Sequence, residues 1–151
     1  LLSLSAFKMA EGQSIDLSIV SKDVDIELLN NLHKKKTGSL LNCSVMFGAI
    51  LNPYISKKDL LILDSFSSHI GLAYQVQDDV LDVTTSDEIL GKRQNSDLVK
   101  NKPSYPSILG LDKSIKKYES LYQEALDEIS FLSVDEKPLK DLTVKLMQRS
   151  F

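Results

Sequence analysis

The chain is poor in cysteine and proline and lacks tryptophan, and each shortage narrows the classes of protein to which it can belong. Among 151 residues there is one cysteine, Cys43, which excludes an internal disulfide and is typical of a reducing compartment such as the cytoplasm. No apolar run reaches the roughly 18 residues of a membrane-spanning helix. The net charge of −3 provides no basic surface for nucleic acid, and the hydrophobic fraction of 42% is that of an ordinary globular domain.

The first residues have neither an initiator methionine nor the features of a signal peptide. Residues 1–7 resemble the middle of a helix, with no positively charged segment or cleavage site around them. We therefore expect the sequence to be part of a longer protein.

Apolar residues recur at helical spacing along the chain, and no stretch has the alternating pattern of a strand. The sequence therefore predicts an all-α fold, a helical bundle. Ser56 and Asp59 have the spacing of a capping box at the start of one helix. The first three predicted helices end near Gly12, run from after Asp25 to about Leu51 with a bend at Gly38, and run from Ser56 to about Val83. A loop over 84–104, a short turn or helix at 106–111, a helix capped by Asp112 and a last helix over about 138–148 follow.

Four polar side chains share one face of the helix that begins after Ser56. Gln75, Asp78, Asp79 and Asp82 are spaced i, i+3, i+4 and i+7, which places them along one ridge. Like charges at this spacing repel, and the negative end of the helix dipole adds to the penalty. A divalent cation with a preference for oxygen ligands, such as Mg²⁺, would remove both penalties. A solvated acidic helix end explains the spacing equally well, so the residues alone leave both readings open.

The segment Gly71–Asp82 resembles the second aspartate-rich motif of the trans-prenyltransferases, the isoprenyl diphosphate synthases. Further segments resemble motifs of that family in the expected order. They are Gly12–Leu17, His33–Gly38, Leu90–Gln94, Lys102–Pro106 and the ending Leu146–Phe151. The resemblance is strongest to bacterial members of the farnesyl diphosphate synthase type. It covers only their C-terminal half, because the first aspartate-rich motif and the basic N-terminal segment of the family are absent. Residues 1–151 are thus expected to be half of a single all-α domain.

The resemblance implies a reaction and a cofactor. Members of the family condense an allylic diphosphate with isopentenyl diphosphate, and Mg²⁺ stabilises the departing pyrophosphate. It implies that Asp78, Asp79 and Asp82 bind Mg²⁺ in this chain. The expected product is farnesyl diphosphate, and the expected assembly is a cytoplasmic homodimer.

The resemblance also assigns roles to basic and polar residues. Lys36, Lys92 and Lys102 match lysines that bind the substrate diphosphate, and Lys36, Thr37 and Gln75 match residues that line the catalytic cavity. Gln13 and Asp16 match a polar pair that either binds substrate or braces Lys36, although an ordinary hydrogen bond at a helix end is nearly as good an explanation. Lys34 and Lys35 are expected to be solvent-exposed.

Two other functions compete with the synthase hypothesis. A non-catalytic subunit that modulates a complete synthase would share the fold, but it need not keep these lysines and aspartates. A terpene cyclase would share the fold and the metal, but the motifs around Lys36 and Lys92 disfavour it. The loop over 84–104, which carries Lys92 and Lys102, is expected to act as a lid over the bound diphosphate.

Overall fold

A computed structural model describes residues 1–19, 24–89 and 103–149, except for the side chains of 85–89. Within these ranges the chain is helical and contains no strand, so the predicted all-α class is confirmed. A π-helical segment, Lys34–Gly38, joins α2 to α3 without a break. The helices are α1 (Leu2–Ser18), α2 (Ile26–His33), α3 (Ser39–Ile50), α4 (Lys57–Ile89), α5 (Tyr105–Leu109), α6 (Leu111–Ile129) and α7 (Lys137–Met147).

The core is built around α4, which packs most extensively against α6. The apolar faces of the two helices pack against each other, and Tyr105 of α5 and Leu29 of α2 belong to the same buried cluster. This packing fixes which face of α4 remains available, because the face that carries Gln75 and the aspartates points away from α6. The buried core residues are Leu29, Phe66, Ile70, Leu72, Ala73, Val76, Tyr105, Leu121, Tyr122, Ala125 and Ile129.

The predicted helix from Asp25 to about Leu51 is present as α2, the π segment and α3. Asp25 caps it, since its Oδ1 accepts a hydrogen bond of 2.7 Å from the Leu28 N–H. The bend expected at Gly38 is a local widening of the helix over Lys34–Gly38. Such π segments are frequent at functional sites, and this one contains two of the predicted site residues, Lys36 and Thr37.

The prediction that α1 ends near Gly12 is wrong, because α1 continues to Ser18. Gly12 is needed for a close contact between helices. A Cβ built on Gly12 would lie 2.4 Å from the Lys36 backbone N, and one on Gly71 would lie 3.0 Å from the Gly38 Cα. The π segment therefore lies between α1 and α4 with little room for side chains at either contact.

The start of α4 is as predicted, and its end is not. The Ser56 N–H donates to Asp59 Oδ2 (3.2 Å) and the Asp59 N–H donates to Ser56 Oγ (3.0 Å), as a capping box requires. The helix then runs six residues beyond the predicted end at Val83. Near the start of this extension the Thr84 hydroxyl donates to the Val80 carbonyl (3.0 Å). Asp82 is therefore about two turns from the end of α4, and the helix dipole penalises the aspartates less than expected.

A second boundary also differs from its prediction. Asp112 lies in the first turn of α6, and the capping position belongs to Gly110. Gly110 has φ of +84°, a conformation that favours glycine, and this lets the chain turn from α5 directly into α6. The last helix agrees with its prediction to within a residue at each end, with Pro138 in its first turn.

Large apolar side chains remain exposed around α1 and after α3. They include Phe7 and Leu17 on α1 and Leu51 and Tyr54 after α3. Exposed apolar surface of this extent is typical of an interface with another part of a protein. None of the described helices is long and apolar enough to cross a membrane.

Replacing Gly12 with alanine should destabilise the fold. The new Cβ would meet the Lys36 backbone, so α1 and the π segment would have to move apart, at a cost of about 1–3 kcal/mol in the free energy of unfolding. Gly48→Ala is the matched control, because no atom lies within 4 Å of its Cβ position. There the substitution should stabilise the helix by about 0.4–1 kcal/mol. Urea unfolding measures both values, and equal effects would contradict the close contact.

Asp59 should make stability depend on pH. Hydrogen bonds from the Ser133 hydroxyl, the Ser133 N–H and Ser56 hold the pKa of this buried carboxyl well below its ordinary value of 3.8. A lowered pKa stabilises the fold at pH above that ordinary value, and the contribution is lost as the pH falls below it. Asp59→Asn should therefore be less stable than the wild type at pH 7, with a difference that shrinks under acid. A difference in unfolding free energy that stays constant from pH 7 to pH 3 would exclude this role.

Candidate active site

Lys36 is held in place by α1. Its Nζ lies 2.5 Å from Asp16 Oδ2, and the Asp16 side chain is only 9% exposed. This geometry matches a brace for Lys36, one of the three readings that the sequence left open for Asp16. The lysine side chain is itself half-buried, so its charge is kept at one position near the π segment.

Of the two lysines that were expected to be solvent-exposed, only Lys34 is. Lys35 is half-buried and its Nζ lies 2.7 Å from Glu11 Oε1, so that prediction is wrong. The cause is the close approach of α1 at Gly12, which brings Glu11 within reach of the π segment.

A chain of hydrogen bonds connects the π segment to the acidic face of α4. The Thr37 hydroxyl donates to Gln75 Oε1 over 2.9 Å, and Gln75 Nε2 donates to Asp79 Oδ1 over 3.2 Å. Three of the predicted site residues, which lie up to 42 positions apart in sequence, therefore form one connected group. Each group fixes the orientation of the next.

The second carboxylate oxygen of Asp79 is also engaged. The Tyr105 N–H donates to Asp79 Oδ2 over 3.0 Å, and His33 Nε2 lies 3.5 Å from the same oxygen. The His33 ring stacks on Tyr105, with 5.6 Å between centroids, and the Tyr105 hydroxyl donates to Asn30. Burial, and then the negative charge of Asp79, raises the pKa of Tyr105 far above its ordinary value, so the phenol remains a donor.

Sequence reasoning missed Tyr105 and Asn30 as parts of the site, and for His33, the first residue of the His33–Gly38 segment, it indicates only packing or a surface contact. His33 does pack, since it is buried against Tyr105. A signal for Tyr105 was present, because it lies in one of the five motif segments. The contact itself requires α5 to fold back onto α4, and no local pattern predicts that.

Asp78 is paired with an arginine from the end of the chain. Arg149 Nη2 lies 3.0 Å from Asp78 Oδ1 and donates to the Tyr74 carbonyl over 3.1 Å. Arg149 Nε donates to Gln77 Oε1 over 3.3 Å, and the guanidinium carbon lies 3.8 Å from the centre of the Tyr74 ring. Sequence reasoning missed Arg149, which follows the last helix and has no periodic pattern.

Gln77 anchors this region to the core. The Tyr122 hydroxyl donates to Gln77 Oε1 over 2.8 Å, and Gln77 Nε2 donates to the Met147 carbonyl over 3.0 Å. Burial raises the pKa of Tyr122 to about 12, so its hydroxyl stays protonated at neutral pH. The buried amide therefore connects α4, α6 and the end of α7 just behind the acidic face.

The fit of the acidic face to Mg²⁺ differs among its three aspartates. Carboxylate oxygens suit this cation, and Asp82 is exposed while the Asp78 side chain is 34% exposed. Asp79 is only 11% exposed and both its oxygens already accept hydrogen bonds or contact His33. Among the side chains that the structure describes, no cluster of three or more histidine, cysteine, aspartate or glutamate residues is arranged to hold a metal. The assignment of all three aspartates as Mg²⁺ ligands therefore stays a prediction.

Some predicted features are not part of this arrangement. Lys92 and Lys102, and with them most of the expected lid, lie outside the described residues. Cys43 is buried as expected, and His69 is structural, with Nδ1 3.0 Å from Glu128 Oε2. The position of Phe47 on an apolar helix face predicts packing in the core, and this prediction is wrong, because Phe47 is exposed.

Comparison with known proteins decides the family. The model of the family described as "Polyprenyl synthetase" matches residues 1–137. The chain belongs to the polyprenyl synthetase family. It is 37% identical over 145 residues to farnesyl diphosphate synthase of Escherichia coli, covering 94% of this chain and 48% of that protein. It is 41% identical over 138 residues to geranylgeranyl diphosphate synthase of Cyanophora paradoxa, covering 91% of this chain and 46% of that protein.

A solved geranyltransferase structure has the same fold. The crystal structure of Helicobacter pylori geranyltransferase, complexed with magnesium and isoprenyl diphosphate, matches with a TM-score of 0.69 and 28% identity. The match covers 92% of this chain and 44% of that one. The chain thus spans about half the length of the curated relatives that it matches.

Asp79 should matter for stability more than Asp82. In Asp79→Asn, the new amide group would face either the Gln75 Nε2 or the Tyr105 N–H as a second donor, at a cost of about 1–3 kcal/mol in the free energy of unfolding. Asp82→Asn, on the exposed part of the same face, should cost less, because the interactions of an exposed carboxylate typically contribute about 0–1 kcal/mol. Urea unfolding compares the two variants. A larger loss in Asp82→Asn would contradict the role of Asp79 as the centre of the network.

Proposed function

We propose that residues 1–151 form the C-terminal half of one all-α domain of a short-chain trans-isoprenyl diphosphate synthase. The enzyme condenses an allylic diphosphate, dimethylallyl or geranyl, with isopentenyl diphosphate. The observation that carries the proposal is the hydrogen-bonded connection from Thr37 through Gln75 to Asp79, beside the braced Lys36. Family membership supports the reaction class.

The residues of this chain have distinct roles in the proposed reaction. Lys36, Lys92 and Lys102 bind oxygens of the diphosphate, which suits the point charge of a lysine. Mg²⁺, bound by Asp78, Asp79 and Asp82, would offset the charge that develops on the departing pyrophosphate. Asp78 and Asp82, which are more exposed than Asp79, are the proposed main ligands, while Asp79 keeps Gln75 and Thr37 oriented.

Thr37 and Gln75 line the cavity next to the reacting carbons. Because Gln75 Oε1 accepts from Thr37 and Gln75 Nε2 donates to Asp79, the amide orientation is set at both ends. Such fixed dipoles stabilise charge without having to reorganise during the reaction. The brace between Asp16 and Lys36 serves the same purpose for the lysine charge.

For the product we propose farnesyl diphosphate, on the basis of the similarity to the bacterial enzyme. The similarity to a geranylgeranyl diphosphate synthase makes the longer product the alternative to be tested. A cytoplasmic homodimer is the proposed assembly. The exposed apolar side chains around α1 and after α3 are consistent with burial by the other half of the domain or by a second subunit.

The full-length protein should incorporate labelled isopentenyl diphosphate into a prenyl diphosphate when Mg²⁺ is present. Lys36→Ala should lower kcat/KM by about 100-fold, because the diphosphate loses a preorganised cation. Lys34→Ala is the matched control, since the exposed Lys34 lies in the same π segment and should change turnover by about twofold at most. Chromatography of the dephosphorylated product gives its chain length.

The other outcomes of this assay identify the competing functions. No turnover without an added synthase, together with stimulation of that synthase, would indicate a regulatory subunit. Equal losses in the Lys36 and Lys34 variants would remove Lys36 from the site. Asp78→Ala should lower turnover strongly while the helical circular dichroism stays unchanged, and near-normal turnover in that variant would refute the acidic face as the metal site.

A further inference from the structure

Arg149 makes four contacts with α4, of which one is an ion pair and one a cation–π contact. Its guanidinium pairs with Asp78 Oδ1 at 3.0 Å and lies over the Tyr74 ring at 3.8 Å. The Tyr74 carbonyl and Gln77 Oε1 accept hydrogen bonds from the same guanidinium. With 20% of its side chain exposed, the arginine is held in place on the surface of α4.

The position of these contacts on the helix is informative. Side chains on a helix are separated by about 100° per residue, so Tyr74 and Gln77 lie on one flank of Asp78 while Gln75 and Asp79 lie on the other. Arg149 therefore approaches Asp78 from the flank opposite the network of Thr37, Gln75 and Asp79. Asp78 therefore lies between the Arg149 guanidinium on one side and that network on the other.

A positive charge already on Asp78 changes how a metal can bind there. In its present arrangement, Arg149 satisfies one oxygen of Asp78 and offsets the repulsion among neighbouring carboxylates. A divalent cation that binds Asp78 has to displace the guanidinium or accept a like charge within a few ångströms. Both reduce affinity for the metal.

We propose that Arg149 is a built-in competitor for the metal at Asp78, an inference that rests on the proposed function of the acidic face. To bind a metal ion, the Asp78 carboxylate has to give up its ion pair with the Arg149 guanidinium. The metal ion therefore binds weakly on its own. The three other contacts of Arg149 let the guanidinium leave the carboxylate without detaching from α4. The end of the chain thereby limits metal binding to the acidic face.

Binding of Mn²⁺ to the chain, followed by electron paramagnetic resonance with Mg²⁺ as competitor, tests this inference. Arg149→Gln should bind Mn²⁺ about tenfold more tightly than the wild type, because the competing charge is gone. Arg149→Lys, which keeps a charge, should remain close to the wild type. Lys145→Gln is the matched control, because it removes the same charge from an exposed position on α7.

The outcomes distinguish a failure of the proposed competition by Arg149 from a failure of the proposed metal site at Asp78. If Asp78→Asn loses Mn²⁺ binding but Arg149→Gln binds no tighter than the wild type, the competition is refuted and the metal site stands. If Asp78→Asn binds Mn²⁺ as well as the wild type, both fail. Equal tightening in Arg149→Gln and Lys145→Gln would show a general charge effect and refute the specific pair.

A measurement on the wild type guards against misfolded variants. Addition of Mg²⁺ should shift the NMR signal of the Arg149 Nε–H, because the guanidinium moves away from Asp78. A signal that stays unchanged at saturating Mg²⁺ would overturn the proposal.

Discussion

The close packing of the π segment between α1 and α4 is the constraint on which the rest of the site depends. Glycine at positions 12 and 71 lets α1 and α4 lie close to the π segment. A Cβ at Gly12 would lie only 2.4 Å from the Lys36 backbone N, and one at Gly71 would be crowded at 3.0 Å from the Gly38 Cα. This approach brings Asp16 to Lys36 and Thr37 to Gln75. The position of the proposed site residues thus follows from contacts between backbones, which are more rigid than contacts between long side chains.

Hydrogen bonds connect the region around the π segment to α4, α5, α6 and α7. Asp79 accepts hydrogen bonds from α4 itself and from the start of α5, while Gln77 connects the opposite flank to α6 and α7. The acidic face is therefore supported from both sides by groups that are largely buried. Support of this kind restricts side-chain rotamers, which is how a fold keeps a site organised before a ligand binds.

The sequence predicted those features that depend on neighbouring residues. The capping box at Ser56 and Asp59, the cap at Asp25 and the helical class all follow from local spacing. It failed where a distant segment decides the outcome. Gly12 looked like a helix end because a glycine weakens a helix locally, and only the approach of Lys36, 24 residues later, shows why it lies within one.

The same limit applies to the site. The sequence predicted that Gln75, Asp78, Asp79 and Asp82 share a face, since that follows from helix geometry. It did not predict that Asp79 is committed to Tyr105, or Asp78 to Arg149, because these partners lie 26 and 71 residues away. Three carboxylates that are equivalent by spacing become different through their tertiary contacts.

The length of α4 has a consequence for how this protein can vary. The helix is continuous over 33 residues, and its buried anchor at Asp59 precedes Asp78 by 19 positions. At about 1.5 Å per residue, the two ends of that stretch are about 28 Å apart on one rod. Inserting or deleting a single residue between them would rotate every later side chain by about 100°, moving the aspartates off their face. The length of this stretch is therefore constrained, and the position of the aspartates around the helix is fixed by an anchor that lies far from them along α4.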